Sequence, residues 1–444
     1  MRILLTADYL DRENIGGAGR VIVELAVRWA ASGHAVSVLA GAPVESVSRE
    51  RVTLEVPDHP AGATLDWVAF PYATSGRRGA RAFFRARKLA RAAYQHAFLD
   101  TAFDVVVHNN PLVAGSLPRL CSAELYLFHS PWPLETLADR FGHEDLDRAA
   151  RHGAAAYVAV SMRRRLERQA VRRADAWVTL SQSMRATLEA VHGIDRERIT
   201  VVPGGVDTER FTPVDLDRRD ELRREFDVAP GSLFLTTVRR LVPRTGVDLL
   251  VEALTRRPRI NATLLIAGSG PEKERVAEQI RSAGLGPSVR LLGYVPDERL
   301  PDLYRAADIA VMPTRALEGF GLATLEALAS GTPVVATPVG GSVELLTPLD
   351  RHLLADEVSA DGLHRAISHW AEDRGALTTL RERCRPYVDA NYSWSKMATA
   401  LEGELDRLIT STAQLTSTAQ LTSTALPRRV ASPRRRAGHA ARSR

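Results

Sequence analysis

Cysteine is almost absent from this 444-residue chain: Cys121 and Cys384 are its only two, which excludes a disulfide framework and a cysteine-built structural zinc site. Long apolar runs are missing as well. No stretch of about 18 apolar residues occurs, and the opening MRILLTADYL breaks at Asp8 without a small-residue cleavage site, so neither a spanning helix nor an export signal is expected. The expected location is the cytoplasm. Lysine is confined to Lys88, Lys273 and Lys396, so positive charge is carried almost wholly by arginine. Metal patterns are lacking: His59, His96, His108, His143 and His152 show no paired ligand spacing, and neither His-Glu-x-x-His nor a carboxylate cluster is present. No metal and no resident cofactor is implied. Gly-x-Ser-x-Gly is absent too, since Gly268-Ser269-Gly270-Pro271 is one residue short and reads as a strand-to-helix turn.

What is present is an ordinary globular composition, 45% hydrophobic and 25% charged, in a chain long enough for two large domains. The net charge of +6 suggests a nucleic-acid partner until its location is considered. The last 34 residues carry seven arginines and no acid, so residues 1–410 sum to a charge of −1. The body is nearly neutral, no nucleic-acid partner is expected for it, and only the tail has the electrostatics for an anionic surface.

Short apolar runs alternate with helical periodicity along the chain. Arg2 to Ala7, Ala35 to Ala40, Phe103 to His108, Glu124 to Phe128, Ala176 to Leu180 and Ile199 to Val202 suit buried parallel strands. After the first of them, Gly16-Gly17-Ala18-Gly19 forms a turn into a helix from Arg20 to Ala31. The pattern restarts beyond Pro203-Gly204-Gly205, passes a polar stretch from Asp215 to Pro230, and resumes with strands at Leu233 to Val238, Thr263 to Ala267, Val289 to Leu292, Ile309 to Met312 and Pro333 to Ala336. Helices are expected at Val247 to Leu254, Glu272 to Ala283, Pro301 to Ala306 and Leu322 to Ser330. This order predicts an α/β protein of two doubly wound parallel-sheet domains, 1–205 and 206–388, facing one another across a cleft. Residues 389–410 are expected to cross back to the first domain, and 411–444, a Ser/Thr-rich repeat followed by an arginine-rich end, to be disordered.

The stretch Met312 to Glu344 carries the most chemistry. Glu318 lies in a Glu-Gly-Phe-Gly loop and Glu326 stands eight residues later in the helix that the loop opens. Glycines 319 and 321 leave the amides of Phe320, Gly321 and Leu322 accessible at the helix start, where the N–H groups and the helix dipole favour an anion. Carboxylates suit sugar hydroxyls. The bland alternative is a helix with an exposed glutamate, and for Gly16 and Gly17 an ordinary tight turn. A dinucleotide fingerprint does not fit, because Gly16-Gly17-Ala18-Gly19-Arg20 departs from G-x-G-x-x-G.

The E-x7-E spacing after a strand, with the EGFG loop and the following EALASGTPVVAT, resembles the retaining glycosyltransferases of family 4, which have the GT-B fold. GHAVSVL, PGGVDTERFTP, RRLVPRTGVDLLVEAL, LLIAGSGPEKE, VRLLGYVPDERLPDLYRAADI and NYSW extend that resemblance over about residues 1–405. It implies a nucleotide-diphosphate sugar donor of UDP or GDP type and a hydroxyl acceptor. Glu318 would hold hydroxyls of the donor sugar, Glu326 the ribose, Gly17 would bring backbone near the diphosphate, and backbone around Gly293 to Val295 would read the base. His129, after the strand ELYLF, would face the sugar or orient the acceptor. Arg240 would stabilise the leaving diphosphate, but the family's lysine five residues later is Thr245 here, and Arg244 beside it is the expected substitute. Retention is attributed in this family to front-face attack, with the leaving phosphate accepting the acceptor's proton.

Two basic stretches, Gly76 to Leu99 and Met162 to Arg173, read either as solvated helix faces or as a surface docking at the inner face of an anionic membrane, suited to a lipid-linked acceptor. Two rival functions stay open: a non-catalytic nucleotide-sugar-binding subunit, motivated by Thr245, and a sugar-nucleotide epimerase on the same fold.

Overall fold

The computed structural model describes residues 1–10, 16–43, 52–55, 64–72 and 80–424. The first half builds an eight-stranded sheet from β1 (Arg2–Ala7), β2 (Ala35–Ala42), β3 (Val52–Glu55), β4 (Thr64–Pro71), β5 (Val105–His108), β6 (Glu124–Phe128), β7 (Ala176–Thr179) and β8 (Ile199–Val201), in the order β3-β4-β2-β1-β5-β6-β7-β8. All neighbours are parallel except β3 with β4. The second half builds an all-parallel sheet, β11-β10-β9-β12-β13, from β9 (Leu233–Val238), β10 (Ala262–Ala267), β11 (Val289–Gly293), β12 (Ile309–Met312) and β13 (Val334–Ala336). Strands such as β5, β6, β10 and β12 are buried at every position, because helices cover both faces of each sheet. The strand order reverses at β1/β5 in one sheet and at β9/β12 in the other, and the carboxyl ends at those two reversals are where ligands bind in such sheets.

Two crossings join the halves side by side. Gly204–Val206 leads out of the first sheet, and Val206 bridges to Ser393, where the chain returns. A side chain on Gly205 would stand 2.3 Å from the Trp394 backbone nitrogen, so only glycine fits this double crossing. The last helix, Trp394–Thr424, then packs on the helix Gly17–Ala31 of the first half: the Trp29 indole donates to the Ala398 carbonyl at 3.1 Å, and His34 meets Glu402 at 2.7 Å.

The structure departs from the sequence expectations at four places. β3 and β4 were not anticipated, since TLDWVAFP interrupts its apolar run with Asp66 and lacks clean alternation. The first helix opens at Gly17, with Gly16 as its cap, not at Arg20. The polar stretch Asp215 to Pro230 contains the helix Leu216–Glu225, capped by the Asp215 carboxylate and fastened to the sheet through Arg219 and Arg223 on Asp308. That helix has little apolar periodicity, and ion pairs replace it. Residues 411–424, expected to be disordered, continue the last helix to Thr424; the rest of the arginine-rich end lies outside the described residues.

Candidate active site

At the carboxyl end of β9, Arg239 points its guanidinium inward. Its Nη2 donates to the Glu318 Oε2 at 2.7 Å and to the Thr314 hydroxyl at 2.7 Å, and that hydroxyl donates on to the same Oε2 at 3.0 Å. Thr314 and Glu318 come from the loop after β12, so the reversal point of the second sheet brings the three together. Burial by itself would raise the Glu318 carboxyl; Arg239 and Arg244 overcome it and hold the group below its ordinary value. Glu318 is therefore ionised at neutral pH.

The loop Glu318–Gly321 then meets the first half of the chain directly. A side chain on Gly319 would lie 2.6 Å from the His129 carbonyl oxygen, and the Gly319 carbonyl accepts from the Ser181 hydroxyl at 2.6 Å. The Phe320 ring packs against Gly204, where any side chain would collide with it. Gly321 takes φ +103°, a left-handed conformation that frees the start of the helix Leu322–Ala329. Among the described residues, the N–H groups of Phe320, Gly321 and Leu322 donate to no protein acceptor. Gly17 faces the same loop, since a side chain there would contact Leu322 at 3.4 Å. On the far side, Glu344 accepts from the backbone N–H groups of Gln182 (2.8 Å) and Ser183 (2.7 Å), a further tie between the halves.

His129 is half-buried just past the end of β6, and its Nε2 lies 2.5 Å from the Asn109 Oδ1. The Asn109 amide nitrogen donates to the Ala18 carbonyl at 3.1 Å and to Asn110 Oδ1 at 3.0 Å, which fixes Oδ1 as the atom facing His129. His129 must then donate from Nε2 and keep a lone pair on Nδ1. Burial depresses the imidazole to about 4, against the pull of Glu135, so it is neutral. A neutral acceptor nitrogen suits orienting a hydroxyl, and it supplies no fixed positive charge.

Arg240 and Arg244 are held from the opposing half. Arg244 donates from Nε to Asp139 at 2.6 Å, from Nη2 to Glu135 at 2.7 Å and from Nη1 to the Leu317 carbonyl at 3.1 Å, while Arg240 donates to the other oxygen of Asp139. Glu135 and Asp139 are one turn apart on the helix Trp132–Phe141, so both reach across the cleft. Thr245 is buried, its hydroxyl donating to the Arg240 carbonyl at 2.7 Å and the Val242 carbonyl at 2.8 Å. The side chain at that position supplies no cation.

Glu326 stands elsewhere in the cleft, in a narrow crevice lined by Arg20, Gly205, Asp207, Leu322 and Trp394 among others. Burial pushes its carboxyl up to about 7, although Arg20 and Arg210 pull it down. Arg20 is committed to Asp297 at 2.6 Å. Val295 is half-buried just past the end of β11, two residues before the Asp297 that pairs with Arg20.

The expected site residues thus converge on one cleft in two clusters. His129, Arg240, Arg244, Glu318 and Gly319 form one, and Gly17, Leu322 and Glu326 the other, with Phe320 and Gly321 between them; no hydrogen bond joins Val295 to either among the described residues. Arg239, Thr314, Asn109, Glu135 and Asp139 were not anticipated. The doubled arginine directly after a strand, the paired asparagines after FDVVVH, and two acids four apart on one helix were the available signals.

The profile described as Glycosyltransferase Family 4 matches residues 15–210, and the one described as Glycosyl transferases group 1 matches residues 218–390. The chain belongs to glycosyltransferase family 4. Among curated relatives of this family 4 chain, a D-inositol 3-phosphate glycosyltransferase of Nocardia farcinica is 35% identical over 251 residues, 53% of this chain and 53% of the relative. A GDP-mannose-dependent alpha-(1-6)-phosphatidylinositol monomannoside mannosyltransferase of Mycobacterium tuberculosis is 34% identical over 208 residues, 45% of this chain and 54% of the relative. The alignments span about half the length of these curated relatives. A sucrose-phosphate synthase structure from Thermosynechococcus elongatus superposes with a TM-score of 0.73 at 22% identity, covering 92% of this chain and 99% of that one, and establishes the GT-B fold of the family 4 chain.

Proposed function

We propose that this chain transfers a sugar from a nucleotide-diphosphate donor of UDP or GDP type to a hydroxyl acceptor, with retention of configuration and without a metal. The observation that carries the proposal is the meeting, in one cleft, of an ionised Glu318, three amides at a helix start that have no protein acceptor among the described residues, and a neutral His129 from the facing domain. In this reading the Glu318 carboxylate takes hydroxyls of the donor sugar, and the amides of Phe320, Gly321 and Leu322 take phosphate oxygens. Glu326 takes the ribose, and the segment at Val295 borders the base. Gly17 lets backbone approach the diphosphate, and Arg240 with Arg244 supplies positive charge to the leaving group, which would contribute about 2 to 4 kcal/mol per well-placed donor. His129 Nδ1 orients the incoming hydroxyl. Retention by front-face attack is supported by the engagement of both oxygens of Glu135, by Arg244 and Ser130, and of both oxygens of Asp139, by Arg244 and Arg240, which leaves neither of these facing carboxylates free to act as a nucleophile.

Incubation with UDP- and GDP-linked glucose and mannose, with and without hydroxyl acceptors, tests the reading. The expected result is acceptor-dependent release of nucleoside diphosphate. A donor that stays intact and protected would instead indicate a binding subunit, and a changed sugar without release an epimerase.

The acceptor side favours a lipid-linked substrate. The basic helices Ala80–Phe98 and Ala154–Arg173 meet at Trp132, against which Phe83 stacks at 6.2 Å and Arg163 lies at 5.1 Å. Phe84, Tyr157 and Val158 are exposed on these helices, as are Arg85, Lys88, Arg164 and Arg165, a combination suited to an anionic bilayer surface. Arg77 and Arg78 lie outside the described residues. Sedimentation with phosphatidylglycerol vesicles, lost on replacing Arg85, Lys88, Arg164 and Arg165 by glutamine, is the expected result; unchanged sedimentation rejects membrane contact.

A further inference from the structure

We propose that Arg239 is a positioning residue for the donor sugar: with Thr314 it occupies the Oε2 of Glu318, so that the sugar is read by Oε1 alone. This rests on the transferase reading above and names how its sugar site is set. Three observations support it. Both protein hydrogen bonds to the Glu318 carboxylate converge on the same oxygen, from Arg239 Nη2 at 2.7 Å and Thr314 Oγ1 at 3.0 Å, and among the described residues none reaches Oε1. The Arg239 side chain is only 10% exposed and the Glu318 side chain 11%, so the pair sits where an ion pair is weakly screened and its geometry is firmly held. Every partner of this clamp belongs to the second domain, whereas Arg240 and Arg244 depend on Asp139 and Glu135 of the first. The clamp therefore keeps its shape when the domains part, and the sugar-reading oxygen is set before closure.

A free carboxylate in a cleft would rotate and offer either oxygen to a hydroxyl. One clamped at Oε2 offers a single acceptor in one direction, which favours a near-attack placement of the sugar's reacting carbon. Among the described residues, the Nε of Arg239 is buried without a hydrogen-bond partner, so Nη2 carries the contact with Glu318.

The test separates sugar placement from nucleotide grip. Affinity for UDP and GDP is measured by calorimetry, and turnover of the corresponding glucose and mannose conjugates by nucleoside diphosphate release, for the full chain and for Arg239→Gln. The expected result is a fall in kcat of about 10- to 100-fold with nucleoside diphosphate affinity changed by less than about twofold. Thr314→Val removes the second bond with little change in volume and should move kcat in the same direction by about threefold, which keeps the test open if Arg239→Gln folds poorly. Equal losses in nucleotide affinity and turnover would make Arg239 a phosphate ligand or a scaffold residue and overturn the proposal, as would unchanged turnover in both variants. If the wild-type chain neither binds a nucleoside diphosphate nor releases one, the transferase reading fails first and takes the proposal with it.

Discussion

Glu318 and Glu326 stand eight residues apart in the cleft, the first buried and the second half-buried, yet their charge states diverge. Glu318 touches a guanidinium and is held below its ordinary value. Glu326 is within the field of Arg20 and Arg210 but in contact with neither, and burial carries it up to about 7. The lesson is that a buried carboxylate takes its charge from direct contact, because desolvation outweighs attraction that acts only at a distance. One group is charged at neutral pH, and the other is poised to titrate near it.

The largest expected effect follows from removing the charged member. Glu318→Leu leaves Arg239 buried without its counter-ion, which should cost about 3 to 5 kcal/mol in urea unfolding and abolish donor turnover. Glu326→Leu at the other site should lose far less stability, since Arg20 keeps its contact with Asp297. Equal destabilisation by the two would break the comparison.

The second effect is a pH dependence. A carboxyl raised from 4.5 to about 7 on folding binds more protons in the native than in the unfolded state, so stability is highest below about 4.5 and falls as pH rises towards 7. Glu326 should contribute a loss of about 3 kcal/mol across that window. Asp8, raised from 3.8 to about 7 by burial despite the N–H groups of Leu112 and Val113, adds a parallel loss. Glu326→Gln should therefore reduce the decline measured between pH 5 and 8 without abolishing it, and an unaltered slope would show that Glu326 is already ionised.

A third outcome sharpens the same contrast. If ribose hydroxyls donate to an ionised Glu326, nucleoside diphosphate binding near pH 6 should release about one proton, read from calorimetry in buffers of different ionisation enthalpy, and Glu326→Gln should cancel it. The smallest effect concerns the arginines shared between domains. Asp139→Asn loosens the hold on Arg240, which is 59% exposed, and on Arg244, so nucleoside diphosphate affinity should rise by about threefold. A fall would mean that Asp139 presents these arginines to the ligand and does not compete with it.

How much of this was readable beforehand differs between backbone and side chains. Runs such as RILLTA, ELYLF and IAVM declare parallel strands because both of their faces are buried, and the EGFG loop declares a helix start because glycine permits the φ of Gly321. TLDWVAFP gave no such signal, and neither did the helix Leu216–Glu225, which is fastened by ion pairs to Asp308. Arg244 was the expected stand-in for the cation missing at Thr245, and the fold commits it to Glu135 and Asp139. Arg239 passed as one of two adjacent arginines.

Local pattern alone determined the alternation of strand and helix, the two sheets, and the pair of glutamates, because each depends on residues within a few positions of one another. Tertiary structure decided which arginine meets which acid. Those contacts join residues 79, 105 and 109 positions apart, and the order of strands at a sheet's reversal, which brings them together, is written in no single segment.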